Sequence, residues 1–456
     1  MAFPRFFLVQ QSFPRPGLGD GAADPAGAIR TAVAEELTKC GFASRIRPGE
    51  TVAITAGSRG IANIALILRA AVDFIRGCGG EPFLVPAMGS HGGGTADGQV
   101  EVLTRLGVTE QTVGCPIRSS MATRVLGELS PKQVWEEREL CEDDKENGVG
   151  AVDLPTRRCG LPLHFDEHAS SADHTLVINR IKPHTHFVGD IQSGLVKMLL
   201  IGLGKHEGAK LAHRAAIDYG WQRIAHAGAK LAIANSNCAA GLAIIENGFD
   251  ETAELIGLSP EDFLTSEREL LQQAESLMAK LPFASADVLI VDETGKNISG
   301  AGMDTTIVGR KPGLVQSNIK RIWARRLSEE TRGNATGLGA ADYCSPGLIK
   351  QIDHHVTRIN CTTGGNPRAG LVPLSFETER KTATAVFSTL GLCPPQDAGV
   401  IWIRNTRHLE HVACSEFFLD AAKAREDLTI TSGLFNLSFD DGGEMMEMPC
   451  VDDFLG

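Results

Sequence analysis

Histidine and lysine side chains concentrate in one short part of the chain, residues 179–214. This segment reads NRIKPHTHFVGDIQSGLVKMLLIGLGKHEGAKLAHR and holds four of the 13 histidines together with four lysines. Imidazoles exchange protons near neutral pH and ligate metals, and a desolvated lysine amine can act as a nucleophile. Because the whole chain has a net charge of −12, the segment predicts either a basic surface helix or a local site for an anionic ligand.

Lys197 lies in an apolar context, SGLVKMLL. On a helix, such neighbours leave a lysine two options: it extends its amine to solvent, or it is desolvated with a lowered pKa. Both interpretations stay open from the residues alone. Lys205, Lys210 and Arg214 are expected to form a solvated face or to help hold an anion, and His213 could be an ordinary half-buried histidine.

His184 and His186 form an H-x-H pair that could bind a metal or transfer protons. Alternate residues of a strand share one face, an arrangement that many metal sites use. No nearby carboxylate or cysteine completes a zinc set, and Asp190 is the only close acid. The residues therefore favour acid–base chemistry over a closed zinc site.

Three predicted strands are each followed by polar residues. The strands cover residues 51–56, 81–87 and 175–179, and the residues that follow them include Arg59, His91 and His184, respectively. The first two strands flank a predicted helix over residues 61–76, a spacing typical of a right-handed βαβ crossover in a parallel sheet. Ligands of open α/β sheets collect at the carboxyl ends of strands, so these side chains are predicted to share one rim.

The turn after the second strand, GSHGGGT, is rich in glycine. It matches neither the GxGxxG pattern of a dinucleotide-binding fold nor a P-loop, because no GK[ST] follows. The glycines could serve a phosphate, or they could serve backbone geometry alone. His91, flanked by glycines, has little reason to be a packing residue and is a candidate acid–base group or ligand.

The chain is long enough for two domains. We predict an N-terminal α/β domain over residues 1–282 and a C-terminal α/β domain over residues 283–456, with mostly parallel sheets facing each other across an active-site cleft. The boundary follows an amphipathic helix predicted over residues 260–280, and a buried strand over residues 286–293 opens the second domain. Lys296 follows that strand and could reach the first rim only across such a cleft.

Composition restricts the function classes. The acidic charge argues against nucleic acid as a partner, and no apolar run is long enough to span a membrane. The 11 cysteines include no C-x-x-C pair and the start of the chain lacks a signal-peptide pattern, so free thiols and a cytoplasmic protein are expected. The charged run over residues 136–147 is expected to be a solvated helix or loop.

The ordered set of an Arg turn, GSHGGGT, PHTHF, SGLVKMLLIGLG and LAHR resembles the lactate racemase family. These enzymes are nickel-dependent racemases and epimerases of 2-hydroxy acids. The resemblance is clearest in the first predicted domain. In the second, the loop DETGKNISGAGMDT resembles a subgroup of the superfamily rather than lactate racemase itself.

The resemblance implies a cofactor and a set of roles. The cofactor is a nickel-pincer nucleotide, Ni(II) pyridinium-3,5-bisthiocarboxylate mononucleotide, attached covalently to a lysine and ligated by one histidine. The positions that match are Lys197 for the attachment; His213 for nickel; Gly57, Ser58 and Arg59 beside the cofactor; His91 and His184 for proton transfer, with His186 as an alternative to His184; Arg59 for the substrate carboxylate; and Lys296 and Glu293 for other substrate contacts.

The implied activity is that of an isomerase, a 2-hydroxy-acid racemase or epimerase acting at C2 by reversible hydride transfer to the cofactor, with two histidines as acid and base. Its partners would be the small-molecule substrate and the enzymes that make the cofactor.

This chain departs from the family at Ala56 and Gly60, which flank the Arg turn, and at Glu293, where lactate racemase has Gln. A zinc-dependent lyase or hydrolase using His91, His184 and His186, and a non-enzymatic anion- or nucleotide-binding protein, remain the alternatives.

Overall fold

A computed structural model describes residues 2–18, 24–137, 159–311 and 318–450. The chain divides into two compact units, one formed by Pro14–Met278 and the other by Met1–Phe13 together with Ala279–Gly456. The first strand, β1 (Arg5–Gln11), therefore belongs to the same unit as the C-terminal part of the chain.

The unit Pro14–Met278 contains a five-stranded sheet, a two-stranded sheet and ten α-helices among its described residues. Its strands are β2 (Thr51–Ala56), β3 (Glu81–Pro86), β4 (Thr123–Leu129), β5 (Leu161–Asp166), β6 (His174–Arg180), β7 (Cys238–Glu246) and β8 (Thr252–Leu258). Its helices are α1 (Pro25–Lys39), α2 (Ile64–Gly77), α3 (Ala96–Arg105), α4 (Glu110–Val113), α5 (Pro131–Glu136), α6 (Glu167–Ser171), α7 (Leu195–Lys197), α8 (Lys205–Tyr219), α9 (Trp221–Asn235) and α10 (Phe263–Leu277).

The five-stranded sheet has the order β3-β2-β6-β7-β8. All neighbours are parallel except β7 and β8. Successive side chains of a strand point to opposite faces, and here each face has its own apolar core: Ala53 and Val177 belong to one, Ile54 and Ile178 to the other. A strand covered on both faces is apolar throughout, which explains why β2 and β6 were predictable.

The other unit is built on a mixed sheet. Its further strands are β9 (Ala286–Thr294), β10 (Ile319–Leu327), β11 (Tyr343–Cys344), β12 (Val400–Ile403), β13 (His411–Ser415), β14 (Leu428–Ile430) and β15 (Phe435–Asn436), and its helices are α11 (Pro346–Gln351), α12 (His354–Thr363), α13 (Glu379–Ser388) and α14 (Leu419–Lys423). The strand order is β11-β10-β9-β12-β13-β1-β14, with β15 paired to β1. The pairs on the β9 side are parallel, and those of β1 and β13 are antiparallel.

The α/β class is confirmed in both units, and three details differ from the expectations. Strand β1 was predicted to belong to an N-terminal domain over residues 1–282, but it pairs with β13 of the other unit. In that sheet its apolar residues Phe6–Val9 are buried on both faces. The sequence pattern of residues 189–203 predicts a helix over this whole range, but the helix begins only at Leu195. The pattern of residues 347–359 likewise predicts one helix, but the structure has an interruption between α11 and α12, where Asp353 caps the second helix.

The weakly patterned stretch 108–170 contains the antiparallel pair β4 and β5. Most of the charged run over residues 136–147 lies outside the described residues. Every cysteine that the structure describes is a free thiol. Across those same ranges, none of the helices combines the length and apolar character that a bilayer crossing requires.

Candidate active site

Three adjacent parallel strands end at one edge of the five-stranded sheet. Ala56 of β2 is in register with Pro86 of β3, and Ile54 of β2 with Leu176 of β6. The loops that leave these strands carry Arg59 after β2, His91 after β3, and the pair His184 and His186 after β6. The structure therefore places the predicted groups at the carboxyl edge of one sheet, as expected for an open α/β fold.

The glycine-rich loop holds His91 beside the β2 turn. The Ser58 hydroxyl and the His91 Nδ1 lie 2.5 Å apart. The amide of Gln99, which is fully buried on α3, donates to the Gly89 carbonyl at 2.9 Å and anchors the loop. At Gly92 φ is +65°, and a Cβ there would approach Gly98 to 2.5 Å. Backbone geometry and close packing on α3 thus account for this glycine.

The segment after β6, residues 183–192, folds around the ring of His184. Its Nδ1 accepts backbone N–H groups from His186 at 3.1 Å and from Phe187 at 3.0 Å. The Gln192 side chain accepts the His184 N–H at 2.8 Å. These bonds fix the imidazole to its own loop, which explains how a segment without regular structure can hold a side chain in one orientation.

Phe187 is the aromatic centre of the site. The His184 ring stacks on it with a centroid distance of 4.2 Å and a tilt of 17°, and the Trp221 ring stacks on it at 4.2 Å with a tilt of 7°. The His213 ring lies 5.4 Å away, and the Lys197 Nζ lies 5.6 Å from the Phe187 centroid. One phenyl ring therefore contacts the predicted proton-transfer histidine, the predicted nickel ligand and the predicted cofactor lysine.

The helix that carries Lys197 is unusual. Helix α7 has only one turn and continues directly into a π-helix, Met198–Gly202. Such helices are rare and are found often at functional sites. The buried Glu267 of α10 accepts the Val196 N–H at 3.0 Å, and its carboxylate fills the space beside Gly194, where a Cβ would lie 2.2 Å from Glu267 Oε1. The glycine three residues before Lys197 is thus required by a carboxylate at the start of the helix.

The electrostatics of the site are set by burial and by neighbouring cations. Desolvation and the charge of Arg59 lower the pKa of Lys197 to about 7. Desolvation, together with Lys197 and His186, lowers the pKa of His213 to about 4. Near neutral pH the His213 imidazole is therefore neutral, and Lys197 loses its proton far more readily than an ordinary lysine.

The two loop histidines are also held neutral. Desolvation, followed by the charge of Lys197, lowers the pKa of His186, and the same two causes hold the pKa of His184 well below its ordinary value. Arg59 is exposed, yet desolvation and then Arg180 lower its pKa. Within the described parts of the chain, neither Arg59 nor Lys197 has a carboxylate partner, so the cluster is suited to an anionic ligand.

Behind this cluster lies a buried ion pair that the sequence did not predict. Lys205, expected on a solvated face, is fully buried, and its Nζ lies 2.9 Å from Asp166 Oδ2. The same amine donates to the Pro86 carbonyl and to Gln99 Oε1, the latter at 3.2 Å. The pair therefore connects the end of β3 to the residue that anchors the His91 loop. The prediction of a solvated Lys205 was wrong because this residue, the first of α8, is buried against the end of β3.

The predicted site residues fall into two groups. Those of the unit Pro14–Met278 come together. His91 contacts Ser58, the rings of His184 and His213 and the amine of Lys197 lie beside Phe187, and the His186 ring lies beside that of His184. A Cβ on Gly57 would lie 3.3 Å from the end of the Met198 side chain. Lys296 and Glu293 belong to the other unit, where Lys296 donates to Asn360 and Glu293 accepts from Asn405 at 3.2 Å. Their predicted substrate contacts stay predictions.

Few of the described side chains are grouped so that they could bind a metal ion together. No group of three or more His, Cys, Asp or Glu side chains within the described ranges is arranged to hold a metal ion. The H-x-H pair has ring centroids 6.2 Å apart and a tilt of 56°. A closed zinc site of the usual three or four protein ligands therefore has no candidate there, whereas a metal that needs a single imidazole could use His213.

No protein-family model matches the sequence, and no curated protein matches it. Among solved structures, the chain is similar to a crystal structure of a protein from Thermotoga maritima, with a TM-score of 0.51 and 13% identity over 84% of this chain and 97% of that one. It is also similar to the lactate racemase apoprotein from Thermoanaerobacterium thermosaccharolyticum, with a TM-score of 0.41 and 12% identity over 76% and 93% of the two chains. At 13% identity the first similarity shows the fold alone.

Two important residues were missed from the sequence although a signal was present. Phe187 is part of the PHTHF motif, but only the histidines of that motif were weighed. Glu267 occupies the buried stripe of α10 together with Phe263, Leu271 and Ala274. A carboxylate at an apolar position of an amphipathic helix indicates a buried partner, and here the partner is the backbone beside Lys197.

Proposed function

We propose that the protein is a 2-hydroxy-acid racemase or epimerase that carries a nickel-pincer nucleotide on Lys197. The observation that supports this most is the convergence of Lys197, His213 and His184 on Phe187, in a cluster without a carboxylate partner for Lys197 among the described residues. These are the residues that the motif resemblance assigns to cofactor attachment, nickel ligation and proton transfer.

The residues fit the proposed cofactor. A lysine with a pKa of about 7 presents a neutral amine, the form that acylation by a thiocarboxyl group requires. His213 is neutral and has no hydrogen-bond partner among the described residues, so a ring nitrogen is free to ligate nickel. When bound, the cofactor supplies a reversible acceptor for the hydrogen at C2 of the substrate.

The remaining chemistry falls to the chain's own side chains. Arg59, without an ion-pair partner in the described chain, would bind the substrate carboxylate through two parallel N–H groups. A histidine would remove the hydroxyl proton as the C2 hydrogen leaves, which turns the substrate into a planar 2-oxo acid. Two proton-transfer histidines would serve the two enantiomers, and His91 is held for such a role by Ser58.

The test uses protein co-expressed with the enzymes that make the cofactor. Single enantiomers of a panel of 2-hydroxy acids, labelled with deuterium at C2, are incubated with the enzyme, and both the enantiomeric ratio and the label are followed. The proposal predicts inversion at C2 with the deuterium retained, because the same hydrogen returns to the substrate. A Lys197→Ala variant should have no activity, while Lys210→Ala, a change on the more exposed surface of α8, should keep it.

The alternatives give different results. Loss of the deuterium to solvent would indicate proton abstraction at carbon and would exclude the proposed reaction. A Lys197→Ala variant that keeps activity would contradict the attachment. Tight binding of 2-hydroxy acids with no inversion by any preparation would support the anion-binding alternative.

A further inference from the structure

The three predicted acid–base histidines differ in what faces their Nδ1 atoms. His184 Nδ1 faces two backbone N–H groups, those of His186 and Phe187, at 3.1 and 3.0 Å. A backbone N–H can only donate, so this nitrogen must carry a lone pair. A neutral imidazole has one N–H, which in His184 therefore lies on Nε2.

The ring cannot exchange its nitrogens by rotating. It stacks on Phe187, which is stacked in turn on Trp221, and the indole N–H of Trp221 donates to the Ile191 carbonyl at 2.8 Å. A half-turn of the imidazole would replace Nδ1 by a carbon and leave two backbone donors unpaired, each at a cost of about 1–3 kcal/mol. No described residue accepts a hydrogen bond from Nε2, and the side chain is only half-buried, so this N–H can reach a ligand.

Proton uptake by His184 is disfavoured as well. The only lone pair of the neutral ring is the one that the two N–H donors face, and a proton there would meet both of them. Desolvation disfavours a charged ring, and Lys197, the neighbouring histidines and Arg59 add repulsion to it. His184 is thus a donor that cannot serve as a base in this conformation.

The other two histidines have adaptable partners. His91 Nδ1 lies 2.5 Å from the Ser58 hydroxyl, and His186 Nδ1 lies 3.1 Å from the Thr185 hydroxyl. A hydroxyl can donate or accept, so each of these two contacts is compatible with a proton on Nδ1 or with a lone pair there. Reversible proton transfer requires this freedom.

We propose that His184 donates a hydrogen bond from Nε2–H to an oxygen of the bound substrate, and that His91 and His186 form the proton-transferring pair. This inference rests on the proposed function and assigns its roles differently from the motif resemblance, in which His91 and His184 form the pair. Each of the three histidines would then have its own role, whereas the motif resemblance implies two equivalent bases and a third histidine without a role.

The first test needs neither cofactor nor substrate. Long-range ¹H–¹⁵N NMR of the ¹⁵N-histidine-labelled full-length protein reports which ring nitrogen carries the proton, with the His184→Gln variant used to assign the signal. We expect His184 to keep the neutral Nε2–H form between about pH 5.5 and 8.5, where an unperturbed histidine would titrate. A proton on Nδ1, or protonation of the ring near its ordinary pKa, would overturn the proposal.

The second test uses the cofactor-loaded enzyme and substitutions that retain one half of the imidazole. His184→Gln keeps a donor near the position of Nε2 and should lose less than about tenfold in kcat, whereas His184→Asn keeps only the Nδ1-like acceptor and should lose about 10- to 100-fold. His186→Gln removes the base and should lose about 10²- to 10⁴-fold. The thermal midpoint of each variant separates these effects from misfolding.

Two outcomes would contradict the assignment: His184→Gln as inactive as His186→Gln at an unchanged thermal midpoint, or His186→Gln with nearly full activity. An inactive wild-type enzyme that nevertheless shows the Nε2–H form would count against the racemase function alone, because the tautomer is measured without it.

Discussion

Replacing Lys197 by methionine should stabilise the folded chain, and by an amount that depends on pH. The folded protein binds a proton at Lys197 with a pKa of about 7, whereas an unfolded lysine has a pKa of about 10.4. A base whose pKa is depressed by folding destabilises the native state at low pH, and the cost disappears as the pH rises through the unfolded value. From these two values the cost is about 4 kcal/mol at pH 7 and about 2 kcal/mol at pH 9.

Lys197→Met removes this cost at both pH values. The packing of the methionine side chain does not titrate, so the difference between the two gains, about 2 kcal/mol, isolates the lysine. The assay is urea-induced unfolding at pH 7 and pH 9, followed by tryptophan fluorescence. Trp135 and Trp221 lie in the same compact unit as Lys197.

The matched control is Lys210→Met, which changes a lysine whose side chain is 41% exposed and paired with Glu207 at 3.7 Å. Surface changes of this kind usually alter stability by no more than about 0.5 kcal/mol. If Lys197→Met changed the free energy of unfolding by the same amount at pH 7 and pH 9, the lysine would be ordinarily solvated, and the argument for a neutral amine at the site would fail.

Three further predictions concern the groups around the site. Phe187→Ala should lower the free energy of unfolding by about 3–5 kcal/mol, since the ring is buried between His184 and Trp221; a loss below about 1 kcal/mol in urea titrations would show that the stack is unimportant. Burial raises the pKa of Glu267 to about 8, so the contribution of this residue to stability should fall as the pH rises from about 4.5 to 8; the stability of Glu267→Gln should therefore increase relative to that of the wild type over this range, and a difference between the two proteins that does not change with pH would contradict it. Lys205→Met should cost about 3–5 kcal/mol by leaving Asp166 buried without its partner, and adding Asp166→Asn should recover part of that loss, whereas strictly additive effects in the double-mutant cycle would argue against coupling.

The central elements of the fold could be predicted because they are apolar over their whole length. Strands β2, β3 and β6 are covered on both faces, so their buried runs stand out, and their ends placed Arg59, His91 and His184 on one rim. Strand β1 had the same signal, but its partner strand is separated from it by nearly the entire chain. Periodicity identifies a strand and does not identify its neighbour.

The finer parts of the site could not be predicted, for a physical reason. The conformation of residues 183–192 depends on side-chain bonds such as those of His184 and Gln192 to the backbone, which have no periodic pattern. Burial of Lys205 and Glu267 depends on tertiary partners distant in sequence, Asp166 for the first and the Val196 N–H for the second. Charged residues are expected at the surface unless such partners are known.

The most direct test of the proposed function is the intact mass and nickel content of protein isolated from its native host, or co-expressed with the cofactor-making enzymes. The account predicts a mass increase that peptide mapping locates on Lys197, with about one nickel per chain, and the loss of both in Lys197→Ala. It further predicts that His213→Ala keeps the adduct but loses nickel. Protein that inverts 2-hydroxy acids with an unmodified Lys197, or with zinc in place of nickel, would contradict it.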